Sequence, residues 1–272
     1  MPSDKPIDFS AITARQQSMW ARGDFNVLAL GVLHVSEALI ERVDPHAGQK
    51  VLDVACGSGN AALSAARRFC DVTGIDYVPA LIDRARLRAA AEGTNIDFKV
   101  GDAQALPFEA ASFDAVVSVF GVMFAPDQTK AAQELVRVCR PGGTIGLACW
   151  TPEGFAADLF RAQAKHTPPP PAGLAQPLRW GTEGGLAELF GNQVDFRFER
   201  RFANQYFRSL EHAVDMFRLH LGPTSEAFTL VGDAGREALA RDIRTVMENA
   251  NAAEDGTVVL RVEYLQAVGT KR

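Results

Sequence analysis

The chain has 272 residues, 47% of them hydrophobic, and a formal charge of −5; that length suffices for one sizeable domain, with or without an appended cap. The mild acidity argues against a nucleic-acid partner, which would present a basic face, and no stretch approaches the roughly 18 uninterrupted apolar residues that span a bilayer. Cys56, Cys70, Cys139 and Cys149 form no C-x-x-C pair, so they read as small buried hydrophobes in a reducing, cytoplasmic setting.

Residues 1–6 lack an apolar signal core and read as a frayed tail. Residues 8–43 read as helices. Arg15, Gln16, Gln17, Met19 and Trp20 belong to one amphipathic piece, broken at Gly23-Asp24. A second piece over 27–43 sets Leu28, Val32, Val35 and Leu39 on one face, and Asp44-Pro45 stops it. From 47 to 152 strand and helix patterns alternate, which predicts right-handed βαβ crossovers and a parallel sheet.

The first strand carries the most information. Val51-Leu52-Asp53-Val54 is an apolar run ending beside an acid, Gly57-Ser58-Gly59 is a tight turn, and an alanine-rich helix opens at Ala61. Glycines there let backbone approach a ligand closely, and the helix start offers unpaired N–H groups. Gly57 to Ala62 fits G-x-G-x-x-A, the weak fingerprint of a dinucleotide site. Asp53, however, stands ahead of the glycines, where a carboxylate repels a diphosphate and suits an ammonium or sulfonium. Asp76 closes the second apolar run, about where an acid meets ribose hydroxyls, roughly 20 residues past the glycines. A ribose clamp beside a place for positive charge fits S-adenosylmethionine better than NAD.

The pattern continues in order. The helix over 80–92 ends at Gly93, a stop signal. Phe98-Lys99-Val100-Gly101-Asp102 is a third strand ending in an acid, and Ser112 to Ser118 a fourth, entered by Phe113 and the structural acid Asp114. A helix follows over 127–139, and Arg140-Pro141-Gly142-Gly143 feeds a fifth strand. With these five elements the chain resembles the class I S-adenosylmethionine-dependent methyltransferases, and within them the small-molecule enzymes of the ubiquinone/menaquinone-biosynthesis type. The resemblance covers residues 47–152 well and the remainder poorly.

The resemblance implies an α/β fold, a doubly wound and mostly parallel seven-stranded sheet, with N-terminal helices (1–46), a cofactor-binding core (47–152) and a C-terminal part (153–272) holding cap helices and closing antiparallel strands. It also implies roles. Asp53, Gly57 and Gly59 match the D-x-G-x-G-x-G loop around the methionine moiety. Ala55 stands at the first glycine position, where its side chain disfavours a left-handed backbone. Asp76 matches the acid that holds both ribose hydroxyls, with Tyr77 flanking ribose or adenine. Asp102 matches the acid that receives the adenine amino group, with the Ala103 backbone beside it. Ser118 and Phe120 fall where the family makes cofactor and substrate contacts.

Past Trp150 the signals change. Residues 155–165 read as helix, Pro168 to Pro171 as a stiff surface connector, and Thr182 caps a helix that Gly191 closes. Residues 194–207 alternate as a strand, 209–221 and 225–250 read as helices, and 257–268 as a closing strand. The helices between these strands would cap the substrate.

Candidates for the substrate wall are Trp20, Phe25, Phe120, Met123, Phe124, Trp150, Met216, Phe217 and His220. Phe120, Met123 and Phe124 lead, because they follow the fourth strand at the ligand-binding edge. A hydroxyl acceptor would need a base, for which His220 is the first choice and His34 the second. No spacing suggests a metal site. The expected activity is methyl transfer to a small apolar or aromatic acceptor, at O or C, by in-line displacement. A homodimer is compatible with the sequence. The alternatives are an NAD(P)-dependent oxidoreductase, a non-methylating S-adenosylmethionine-binding protein, and a nucleic-acid methyltransferase, whose N/D-P-P-Y/F motif is replaced here by Ser118-Val119-Phe120-Gly121.

Overall fold

Seven strands, β1 (Lys50–Val54), β2 (Asp71–Asp76), β3 (Asp97–Val100), β4 (Phe113–Val119), β5 (Cys139–Trp150), β6 (Val194–Phe207) and β7 (Val258–Lys271), form one sheet of order β3-β2-β1-β4-β5-β7-β6 in the computed structural model. The structure describes residues 7–272; the tail expected over 1–6 lies outside the described residues. β1 pairs in parallel with both β2 and β4. β7 runs antiparallel between β5 and β6, which is the expected closing pair. The chain steps outward from β1 to β3, then returns to start β4 on the other side of β1. That reversal opens a crevice at the carboxyl ends of β1 and β4.

Strand alternation divides the core. Leu52, Val54, Val116 and Ile145 face one layer, covered by α6 (Gln128–Val138) and α8 (Glu183–Phe190). Val51, Val72 and Val117 face the other, covered by α3 (Leu33–Val43), α4 (Asn60–Ala66) and α5 (Pro79–Glu92). With helices on both sides, β1 is buried over Val51 to Val54. Helix signals hold where the sequence is explicit. Asp127 and Thr182 accept from the Lys130 and Gly185 amides, each at 2.9 Å, and Gly93 takes φ 67 at the end of α5.

Two helices differ from expectation. The piece over 27–43 is split into α2 (Asn26–Ala29), a 3-10 turn (Leu30–Val32) and α3. Gly31 weakens a continuous helix, and the break lets two apolar faces point apart: Leu28 packs with Phe155 and Phe217, whereas Val35 and Leu39 pack on the sheet. The last helix, α10 (Gly222–Ala250), starts earlier than expected, with Pro223 in its first turn, and breaks at Gly232, φ 59. α1 (Phe9–Trp20), α7 (Phe155–Ala164) and α9 (Leu210–His220) complete the set. α7, α9 and α10 build a third core with the start of β7, through Leu159, Leu239, Ile243, Val258 and Leu260. Pro168 to Pro171 are exposed. Among the described residues, no helix is long and apolar enough to cross a membrane.

Candidate functional site

The turn after β1 is left-handed at Ala55 (φ 53), Gly57 (φ 53) and Gly59 (φ 86) before α4 begins. For the glycines this costs little. Ala55 departs from the expectation that its side chain keeps the backbone out of that region, at a cost of about 1–2 kcal/mol. The neighbour that fixes it is the end of β4, where Phe120 is also left-handed (φ 55). A Cβ on Gly121 would stand 2.5 Å from the Ala55 carbonyl oxygen and 2.6 Å from its Cβ. Two strained strand ends therefore press together at the crevice, a pattern that marks functional sites.

Asp53 is 1% exposed, and its Oδ2 accepts from the Ala62 amide at 2.9 Å, in the first turn of α4. Burial pushes its carboxyl up to about 7, opposed by that N–H and reinforced by the charge of Asp76. Asp76 bridges two backbone segments: Oδ2 accepts from Gly57 at 2.9 Å and Oδ1 from Val78 at 2.8 Å. Burial pushes it up to about 6 against those same N–H groups. Burial also raises the Tyr77 phenol and, strongly, the Cys56 thiol, which disfavours the Cys56 thiolate. Asp102 takes the Gln104 amide at 2.9 Å and is clasped by its carboxamide; Gln104 in turn accepts from Asp127 N at 2.8 Å.

Around these groups lies a cleft of about 1010 Å³, counting its open mouth. Asp53, Ala55, Gly57, Asp76, Tyr77, Asp102, Ala103, Phe120 and Phe124 all line it. A Cβ on Gly57 would meet nothing within 4 Å; the bare glycine faces open space that a ligand can enter. Gln16 and Ser36 also line the cleft, and their Oε1 and Oγ atoms are buried without a partner among the described residues. Arg88 of α5 pins the turn, donating to the Ser58 carbonyl at 2.7 Å and to Asn60 Oδ1 at 2.7 Å.

A second chamber of about 700 Å³ adjoins the cleft and shares Trp20, Phe25, Val32, Phe120 and Phe124 with it. Trp150, Phe155, Phe160, Phe217 and Gln205 add to its wall. Trp20 packs edge-on against Phe25 and Phe124, at centroid distances of 5.4 and 5.1 Å, and Phe120 stacks on Trp150.

Four expected site residues are placed elsewhere. Ser118 is fully buried, donating to the Val54 carbonyl at 2.7 Å and accepting from Val122 N at 3.0 Å, so it braces two strand ends and lines neither cavity. Met123 is sealed in the sheet core, because the left-handed Phe120 turns the following 3-10 segment inward. Gly59 packs under the Phe98 ring, 3.0 Å from where its Cβ would be. His220 lines neither cavity, and the backbone there is held against Gly23, whose Cβ would meet the Leu219 carbonyl at 2.1 Å. Met216 and His34 also lie outside both linings. Gln16, Ser36, Arg88 and Gln205 sit in no motif that marks them as site residues. Among the described residues, no group of three or more His, Cys, Asp or Glu is placed to hold a metal ion.

The family described as "Methyltransferase domain" matches residues 51–143. The chain is 38% identical over 276 residues to an uncharacterized protein of Mycobacterium tuberculosis, Rv1405c, covering all of both. It is 38% identical over 128 residues to the demethylmenaquinone methyltransferase of Deinococcus radiodurans, covering 46% of this chain and 53% of that one. The YcgJ protein of Bacillus subtilis shares the fold, with a TM-score of 0.60 at 20% identity over 88% of this chain and 99% of that one. The matched residues include Asp53, Gly57, Asp76, Asp102 and Phe120. The chain therefore belongs to the class I S-adenosylmethionine-dependent methyltransferases.

Proposed function

We propose that the cleft binds S-adenosyl-L-methionine and that the adjoining chamber receives a small apolar or aromatic acceptor, methylated at O or C. The carrying observation is the adjacency of the two spaces: a cleft lined by two buried acids shares Trp20, Phe120 and Phe124 with an aromatic chamber. The residues fit the cofactor. Gly57 leaves room for it, and Asp53 and Asp76 supply negative charge where a diphosphate would be repelled. This last point disfavours the NAD(P) alternative.

In this reading Asp76 holds both ribose hydroxyls, flanked by Tyr77. Asp53 faces the methionine ammonium, directly or through water, and the Ala55 and Gly57 backbone runs beside it. Asp102 and the Ala103 backbone take the adenine. When bound, the cofactor supplies an electrophilic methyl group on a sulfonium. The protein's task is to hold the acceptor in line with it and exclude water. The faces of Phe120, Phe124 and Trp20 suit a transition state that spreads positive charge. Residues 47–152 form the cofactor core, and residues 7–46 and 153–272 complete the acceptor chamber within a single domain. Four free, buried cysteines suit a reducing cytoplasm, and the net charge of −5 suits a small-molecule acceptor over a nucleic acid.

Calorimetric titration with S-adenosylmethionine and, separately, NADH tests the reading. Saturable heat with the first and none with the second is expected; the reverse overturns it.

A further inference from the structure

The aromatic chamber contains one polar side chain that is not aromatic, Gln205. It lies on β6 between Ala203 and Phe207, both buried, while Phe202 and Tyr206 on the opposite face are exposed. Strand alternation thus sets a carboxamide on the inward face, among apolar neighbours. Gln205 is half-buried, and its carboxamide can donate to or accept from a polar group of a ligand in this chamber.

The chamber is also bare of acids and bases. Among the described residues, no Asp, Glu, His, Cys, Tyr, Lys or Arg lines it. The titratable groups nearby, Asp53, Cys56, Asp76, Tyr77 and Asp102, line the cofactor cleft. His34 and His220 line neither space.

We propose that the acceptor is a flat aromatic molecule carrying an acidic hydroxyl, no other ionisable group, and one further polar group that docks on Gln205, and that its hydroxyl ionises by its own acidity. Gln205 is then a specificity residue. The inference rests on the cleft being the S-adenosylmethionine site and extends that reading to the substrate. The hydroxyl proton leaves to solvent before the acceptor is enclosed. An oxygen lone pair forms the bond to the methyl carbon, the carbon–sulfur bond breaks, and its electron pair returns to sulfur as the neutral thioether. Charge then cancels within an apolar enclosure, where ion pairing is strong.

The test uses the full chain, S-adenosylmethionine and two probes of similar outline. 7-Hydroxycoumarin has a ring carbonyl and the more acidic hydroxyl; 2-naphthol lacks the carbonyl and is the weaker acid. S-adenosylhomocysteine formation is followed across pH 6–10. Each acceptor is expected to be methylated at a rate that climbs about tenfold per pH unit up to that acceptor's own ionisation. Gln205→Leu is expected to raise KM for 7-hydroxycoumarin about tenfold, as for one lost hydrogen bond, and leave KM for 2-naphthol within twofold. Gln205→Glu should raise KM for both. The affinity of each variant for S-adenosylmethionine reports whether it folds and is expected to stay within twofold. One shared inflection for both acceptors, equal effects of Gln205→Leu on both, or no product from either phenol while the cofactor binds overturns the acceptor proposal alone. Absence of cofactor binding to the unaltered chain overturns the site reading beneath it.

Discussion

Asp76 Oδ2 accepts a hydrogen bond from the Gly57 amide at 2.9 Å, so the end of β2 is tied to the glycine turn that follows β1. The same carboxylate takes the Val78 amide through its other oxygen. It fixes the turn and, in the proposed function, holds a ribose with its remaining lone pairs. Asp76→Asn keeps the shape but has one acceptor oxygen for these tasks. Charge-assisted hydrogen bonds contribute about 1.5–3 kcal/mol each. The dissociation constant for S-adenosylmethionine is therefore expected to rise about 10- to 100-fold, measured by calorimetry.

Binding should depend on pH, with a definite sign. Burial raises Asp53 to about 7 and Asp76 to about 6, so below these values the empty cleft carries protons. A cationic ligand favours the ionised carboxylates and must expel those protons. Affinity for S-adenosylmethionine is expected to rise from pH 5.5 to 7.5 and then level off. At pH 6.5, titrations in buffers of different ionisation heat should show proton release. Proton uptake, or affinity that falls over this range, contradicts the assignment of charge.

The same shifts govern stability. A carboxyl raised in the folded state contributes stability below its unfolded value near 4, and that contribution is lost as pH rises through 6 to 7. Asp53→Asn retains an oxygen for the Ala62 amide and removes the buried charge. It should raise Tm at pH 8 by about 2–4 °C, corresponding to roughly 1 kcal/mol, while weakening cofactor binding. An unchanged or lower Tm at pH 8 speaks against a destabilising charge at this position.

Ala55 and Gly121 offer a paired test of backbone strain. Ala55→Gly relieves a left-handed alanine, so a stabilisation of up to about 1 kcal/mol is expected, with cofactor affinity within threefold. Gly121→Ala drives a Cβ to 2.5 Å from the Ala55 carbonyl oxygen and should destabilise by about 1–3 kcal/mol. Denaturant unfolding measures both; a neutral Gly121→Ala would show that the two strand ends are not in contact.

Arg88 is half-buried, and desolvation lowers its pKa while it holds Ser58 and Asn60. Arg88→Met strips the Ser58 carbonyl, Ser58 Oγ and Asn60 Oδ1 of their donor. Cofactor affinity should fall about 5- to 20-fold, as expected for one or two lost hydrogen bonds to a charged group. Arg88→Lys, a point charge without the planar fork, should recover part of it.

The half of the site proposed to hold the cofactor is legible in the sequence because it is written locally. Strand, glycine turn and helix start are adjacent in the chain, and Asp76 follows at the spacing of one βα unit. The acceptor half was legible only as a composition of aromatics. Ser118, Met123 and Phe120 lie within six residues, yet one braces the sheet, one fills the core and one lines the cleft. The chain turns left-handed at Phe120 (φ 55) between them, a conformation that no rule of alternation foretells. His220 was misplaced because the rotation of α9 is set by its contact with Gly23, roughly 200 residues earlier. Gln205 looked like any polar position of an alternating strand. Only the long register of β6 against β7, from Val194 to Phe207, carries it from the sheet edge into the chamber.

The most direct measurement is a crystal structure of the chain with S-adenosylhomocysteine. The account predicts both ribose hydroxyls within hydrogen-bond distance of the Asp76 carboxylate, the methionine part along Gly57, and the sulfur facing Phe120 and Phe124. A nucleoside bound elsewhere, or a ribose that does not touch Asp76, would contradict it.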